Sequence, residues 1–335
     1  MSQAETLVTL TRGPFDESAH LGHAVVWRDG AGVVGAWGDP DAVILPRSSC
    51  KMIQALPLVE SGAADRAGLT ERHLAIACAS HNGGAIHTDL VTQWLADIGL
   101  VETDLRCGKQ WPDDREASKG LILAGRKCDQ RHNNCSGKHT GFLTLTRDMG
   151  AGPEYVDPDH PVQLAVRTAF EDVTDAPSPG FGIDGCSAPN FASTLSGLAR
   201  AMAAFAAAED GASARETAMV RLRTAMMAHP ELVAGEGRAC TRLMRTMAGR
   251  AAVKTGAEGV YIAIVPELRI GIAVKIADGA GRGAEAVTAV LLERLGILDP
   301  GADIFRDLSH GPILNRRSIE VGDIRPAEAL TGWTP

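Results

Sequence analysis

Three short segments carry side chains that could activate a hydroxyl group. Pro46-Arg47-Ser48-Ser49-Cys50-Lys51 stands where a β-prone run gives way to helical periodicity. Ser48 and Lys51 are one helical turn apart and share a face. A serine hydroxyl becomes a nucleophile when a base takes its proton, and a neutral lysine amine is such a base. The positive end of a helix favours that neutral amine and steadies developing negative charge. Cys78-Ala79-Ser80-His81-Asn82-Gly83-Gly84 supplies a hydroxyl and an amide two residues apart, a pair able to relay a proton and fix a substrate carbonyl. Val253-Lys254-Thr255-Gly256 sets a cation beside backbone that a glycine leaves open to close approach. Singly, each segment also reads as ordinary structure: a capping serine with a solvated lysine, a polar turn, a turn lysine.

Their order adds weight. S-x-x-K, S-x-N and K-T-G, in that sequence, form the signature of the serine β-lactamase, penicillin-binding protein and glutaminase superfold. The interval from Ser48 to Ser80 is short for that group, a departure from its pattern at the S-x-N segment. A fourth segment, Asn133-Asn134-Cys135-Ser136-Gly137-Lys138-His139, is followed by Gly182-Ile183-Asp184-Gly185-Cys186. Cys135 and Cys186 are a thiolate pair suited to a soft, zinc-type ion. By residue type alone, His139 or Asp184 is the more usual third ligand, because a lysine must first lose its proton. Two buried, reduced cysteines in ordinary loops fit the spacing equally well.

Together these segments, with Lys254-Thr255-Gly256-Ala257-Glu258-Gly259, resemble the rhizobial-type L-asparaginases, a structural class apart from the threonine-nucleophile and autoprocessed plant enzymes. The similarity runs over roughly residues 10–330. It implies a β-lactamase/glutaminase-like fold, a homodimer, and hydrolysis of L-asparagine to L-aspartate and ammonia. It implies two Ser–Lys tandems, Ser48 with Lys51 and Ser80 with Lys254. It also implies a Zn2+ site made by Cys135, Lys138 and Cys186; such an ion is expected to tune substrate binding more than the chemical step. The substrate-binding set that goes with it is Arg47, Asn82, His139, Asp184, Cys240 and Gly256. Within that set Arg47 suits the α-carboxylate and Asp184 the α-ammonium. The rival functions are a glutaminase, a β-lactamase or peptidase of the same superfold, and a non-enzymatic zinc or thiol sensor.

The surrounding elements must bring these segments together. Thr6–Thr11, Ala24–Trp27 and Val33–Trp37 are β-prone, with a turn at 29–32. Helical spacing begins near Ser48 (Met52, Ala55, Leu56, Val59), and Gly62 can close that helix. Further helices are predicted from Thr70-Glu71, over Thr88–Ile98, Val162–Val173, Phe191–Ala208 and Ser213–Ala228. Gly259–Val265 and Arg269–Ile276 form a hairpin, and Ala284–Leu295 a last helix. The expected architecture is α+β: an antiparallel sheet from about 1–47 and 250–335, with a helical layer of about 48–249 inserted, in one catalytic unit. Two tandem domains are the competing organisation.

Composition narrows the function classes. The chain has 335 residues, 45% hydrophobic and 22% charged, the balance of a globular protein. Its net charge of −8 argues against nucleic acid or an anionic membrane as partner. The first residues lack a signal-peptide pattern, and seven scattered cysteines are not a secreted disulfide framework, so a cytoplasmic location is expected. Of 33 cations only seven are Lys. Three of these, Lys51, Lys138 and Lys254, fall in the segments above, in roles that need a removable proton, which Arg lacks.

Overall fold

The computed structural model describes residues 3–335. It divides into two compact units: one made from the segment ending at Ser49, Ser193–Ala207 and Arg242–Pro335, the other from Cys50–Ala192 and Ala208–Thr241.

The first unit is built on an eight-stranded antiparallel sheet. Its strands in chain order are β1 (Glu5–Arg12), β2 (Phe15–Arg28), β3 (Gly32–Trp37), β4 (Ala252–Gly256), β5 (Val260–Val265), β6 (Ile270–Ile276), β7 (Pro312–Leu314) and β8 (Glu320–Pro326). Across the sheet they run β7-β8-β1-β2-β6-β5-β4, with β3 also on β2. The hairpin of β5 and β6 pairs Val265 with Ile270, and every residue of β5 is buried. A strand covered on both faces reads as an unbroken apolar run, which is why this hairpin is so plain in the sequence. Helices Leu195–Ala207 and Gly281–Arg294 pack on β5 and β6. Gly271 is where the first of them comes nearest, since a Cβ there would lie 2.2 Å from the Ala199 carbonyl oxygen.

β2 is longer than its apolar core suggests. Phe15–Ala19 is exposed, so it carries no alternating pattern, and it is a strand because β1 pairs with it (Thr9 with Ala19, Thr11 with Asp16). β8, likewise only half-buried, is held by β1 through Val8–Pro326. The predicted helix Phe191–Ala208 starts later, at Leu195. Phe191 instead belongs to a strand facing Phe181, and Ser193–Thr194 pairs with Val43–Ile44.

The second unit is helical. The apolar spacing at 52–59 gives two short helices, Lys51–Gln54 and Leu56–Glu60. The break follows from Pro57, which has no N–H to give to the preceding turn. Glu71–Ala77 starts with a Thr70 capping box, and Ala214–Ala228 starts where the Ser213 side chain accepts from the Glu216 N–H. Ala85–Asp97 and Pro161–Thr174 follow the predicted positions closely.

Ser136–Asp148 was not legible as a helix, because it is buried almost all round, through Thr146, and so has no polar stripe. Thr140, Thr144 and Thr146 satisfy their hydroxyls on carbonyls four residues back. Gly137 lets this helix meet Glu71–Ala77 closely: a Cβ would stand 2.2 Å from the Ile76 carbonyl oxygen. Gly137→Ala is therefore expected to lower the unfolding free energy in urea by about 1–3 kcal/mol. A change under about 0.5 kcal/mol, the usual range for surface substitutions, would mean that the two helices separate freely. Among the described residues, no helix is long and apolar enough to cross a membrane.

Candidate active site

In the helical unit, the side chains of Lys51 and Ser80 meet. Lys51 is 1% exposed, and its Nζ lies 3.1 Å from Ser80 Oγ. The same amine donates to the Ala79 carbonyl and reaches the Asn134 carbonyl at 3.4 Å. Three acceptors around one nitrogen fix its position. When the amine is neutral, its lone pair has a hydroxyl within proton-transfer distance.

The loop that carries Ser80 is held from two sides. Ser80 N–H donates to the Val233 carbonyl at 2.9 Å, and His81 N–H to the Asn134 carbonyl at 3.3 Å. His81 is fully buried and its ring settles its own tautomer. Nδ1 accepts from the Gly83 N–H, so Nε2 carries the proton and donates to Ser136 Oγ at 2.9 Å. Ser136 passes its hydroxyl on to the Arg131 carbonyl. These links tie the Ser80–Asn82 loop to the start of the helix that holds Lys138. They were missed in the sequence because a serine inside C-S-G-K carries no signal of its partner.

Cys135, Lys138 and Cys186 form a second buried cluster, 3% exposed or less in each case. Lys138 Nζ lies 3.1 Å from Cys186 Sγ. Cys186 sits in the tight turn between the paired strands Phe181–Ile183 and Pro189–Phe191. Cys135 has a single S–H and two acceptors, Cys186 and Asn134 Oδ1, the latter at 3.0 Å. The hydrogen bond from Cys135, helped by the Lys138 charge, holds the Cys186 pKa well below that of an ordinary thiol. Giving that bond, together with burial, pushes Cys135 up to about 12. Burial opposes the charged Lys138 amine, but Cys186 and Cys135 outweigh it and raise its pKa. An amine 3.1 Å from one sulfur and an S–H donor beside that same sulfur favour the charged forms of Lys138 and Cys186.

No group of three or more His, Cys, Asp or Glu side chains forms a metal cage among the described residues. Two sulfurs and an amine nonetheless converge here, a donor set that suits a zinc-type ion once the amine proton is displaced. His139 stands apart from the cluster's hydrogen bonds: its Nδ1 meets the Tyr155 hydroxyl at 2.9 Å. Its Nε2 is buried without a hydrogen-bond partner among the described residues. Burial, then the neighbouring Lys138 charge, lowers its pKa far enough to keep the ring neutral. Asp184 is half-buried, and its carboxylate accepts from the Gly185 N–H. Cys50 is buried and its thiol is pushed up to about 12 by that burial. Cys240 is buried at the start of Ala239–Met247.

The sheet unit positions the remaining candidates. Arg47 adopts a left-handed φ of +55°, uncommon outside glycine and a frequent mark of functional turns. Two serines follow. Ser49 is buried and donates to the Pro46 carbonyl at 2.7 Å, whereas Ser48 keeps partial exposure. Gly256 of β4 lies against this turn: a Cβ would stand 2.6 Å from the Pro46 oxygen and 3.2 Å from the Ser49 nitrogen. The bare backbone at Gly256 admits the turn that presents Ser48. Glu258, also left-handed at +60°, stands 4.0 Å from the Arg47 guanidinium. Lys254 is fully buried and donates to the Thr255 carbonyl at 2.7 Å.

A sequence model of L-asparaginase II matches residues 8–326. The chain belongs to the L-asparaginase II family. That membership makes it an amidohydrolase of mixed α/β fold. No curated protein matches it. Among solved structures, the family member is similar to a β-lactamase from Mycobacterium bovis, at 16% identity and a TM-score of 0.44, over 81% of this chain and 94% of that one. It is similar to Mglu in its native form at 13% identity and a TM-score of 0.46, over 84% and 66% of the two chains. It is also similar to an octameric penicillin-binding protein homologue from Pyrococcus abyssi, at 13% identity and a TM-score of 0.35, over 81% and 73%.

Proposed function

We propose that this amidohydrolase converts L-asparagine and water to L-aspartate and ammonia through an acyl-enzyme on serine. The observation that carries the proposal is the buried Lys51 amine 3.1 Å from Ser80 Oγ. Lys51, neutral, takes the proton of Ser48, whose oxygen bonds to the side-chain amide carbon of the substrate. The proton then moves from Lys51 through Ser80 to the leaving nitrogen, the carbon–nitrogen bond breaks, and ammonia departs. Water adds to the ester by the reverse path and releases aspartate. Ser48 suits the nucleophile because Ser49 is occupied by the Pro46 carbonyl. Lys254, from K-T-G, is the amine of the second proposed Ser–Lys tandem, with Ser80. Arg47 takes the α-carboxylate through a two-pronged contact, Asp184 takes the α-ammonium, and Asn82, His139, Cys240 and Gly256 complete the binding set.

A bound zinc ion would be held by Cys135, Lys138 and Cys186. It would supply a Lewis acid able to orient a substrate donor atom. Charge balance favours the fit: Zn2+ would replace two protons, one on Lys138 and one on Cys135, and leave the cluster neutral as before. A homodimer and a cytoplasmic location belong to the same proposal. The test is ammonia release by the purified protein from L-asparagine and L-glutamine, beside nitrocefin hydrolysis. Turnover of asparagine at least about tenfold faster than glutamine, equivalent to ~1.4 kcal/mol in the barrier, is the expected outcome. Preference for glutamine or for nitrocefin would assign one of the rival activities.

A further inference from the structure

The carboxamide of Asn82 lies face to face with a residue that none of the four segments contains. A Cβ on Gly235 would stand 2.4 Å from Asn82 Cγ and 2.5 Å from both its Oδ1 and Nδ2. Gly235 has a φ of +109°, which a side chain rarely permits. Its carbonyl and that of Pro230 are both reached by the Thr241 hydroxyl, at 2.6 and 3.0 Å. Val233, two residues earlier, accepts the Ser80 N–H. Asn82 is also held through its own carbonyl, which accepts the Asp114 N–H at 2.8 Å. The 230–241 segment is therefore a wall behind the Ser80–Asn82 loop, with Gly235 set against the Asn82 side chain.

Beneath Gly235, Asn82 Oδ1 is buried and has no hydrogen-bond partner among the described residues. A dry, unpaired acceptor is costly to keep and suits a donor that arrives with a ligand. Because the oxygen is neutral, it matches a neutral N–H; an ammonium brought to a dry site requires an anion instead. The terminal torsion of an asparagine is soft, so the carboxamide can swing from beneath Gly235 to meet that donor.

We infer that Gly235 is a positioning residue for Asn82, and that Asn82 Oδ1 accepts an N–H from the scissile amide of the substrate. The inference rests on the proposed amide hydrolysis and adds to it a contact that an amide substrate can make and an ester cannot. A methyl group at 235 takes the resting place of the carboxamide and displaces the acceptor.

The test compares kcat/KM on L-asparagine and on the β-methyl ester of L-aspartate, which keeps the amino-acid head group but offers no scissile N–H. Asn82→Ala and Gly235→Ala are each expected to lower amide turnover about 10- to 100-fold, the worth of a buried hydrogen bond, and to leave ester turnover within about threefold. The double variant is expected to match Asn82→Ala, since the two residues act as a unit. Equal loss on amide and ester overturns the inference, as does a double variant whose losses multiply. Asn82→Ala on the two substrates decides the matter even when Gly235→Ala does not fold. Should the unaltered protein hydrolyse neither substrate, the asparaginase proposal itself falls. The link between the two residues is then read from thermal unfolding of the same four proteins, where additive shifts overturn it.

Discussion

Lys51→Met is expected to lower ammonia release from L-asparagine by about 10³-fold or more, the range in which a positioned base contributes. Methionine follows the lysine stem without the amine, so the packing around position 51 is largely kept. Two of the acceptors that Lys51 serves have other prospects: Asn134 O keeps the His81 N–H, and Ser80 Oγ can turn elsewhere. The Ala79 carbonyl loses a donor, at a cost of about 1–3 kcal/mol, so activity should be measured well below the lowered melting temperature. Lys51→Arg should be as inactive as Lys51→Met. It preserves the charge, yet a guanidinium cannot give up its proton. Retention of more than a tenth of wild-type turnover by either variant would remove Lys51 from the chemistry and leave it a structural tie between residues 79, 80 and 134.

The second large effect concerns stability. In protein treated with a chelator, Cys186→Ala should cost about 3–5 kcal/mol in urea unfolding, the penalty for leaving a buried charge alone. The charge is that of Lys138, whose amine has the Cys186 sulfur 3.1 Å away. Lys138→Met should cost less, because the orphaned thiolate can take up a proton and become a buried neutral thiol. The double variant Lys138→Met/Cys186→Ala should be more stable than the sum of the two losses implies. Strict additivity of the three would show that no ammonium–thiolate pair exists in the folded protein. Elemental analysis of the untreated protein and of Cys135→Ala tests zinc separately: about one zinc ion per chain, lost in the variant, is the stoichiometry expected of one such site.

The legible parts of the chain were those where a local rule operates alone. β5 and β6 could be read because strands buried on both faces show an unbroken apolar run. Ala214–Ala228 could be read because a serine caps it, and Gly62 marked the end of a short helical stretch. The helix Ser136–Asp148 hid for the opposite reason. Its surroundings bury polar threonines and glycines alike, so neither periodicity nor composition distinguishes it from a loop. The first half of β2 hid because exposed residues become a strand only when β1 lies beside them.

The candidate site divides in the same way. Residue types and their order were enough to single out Ser48, Lys51, Ser80, Lys254, Cys135 and Cys186 as candidates, since activating a hydroxyl and holding a soft ion each require particular groups. Lys138 as a third ligand came only from the family resemblance, because by type His139 or Asp184 is more usual. Partners far along the chain were not available to such reasoning. Lys51 meets Ser80 across 29 residues, Lys138 meets Cys186 across 48, and Gly235 is placed over Asn82 by a wall that only the folded chain assembles. Sequence determined which chemistry this protein is equipped for, because that depends on which side chains are present. Tertiary structure decided which hydroxyl stands beside which amine and which thiol faces Lys138, because those depend on distances that only the folded chain sets.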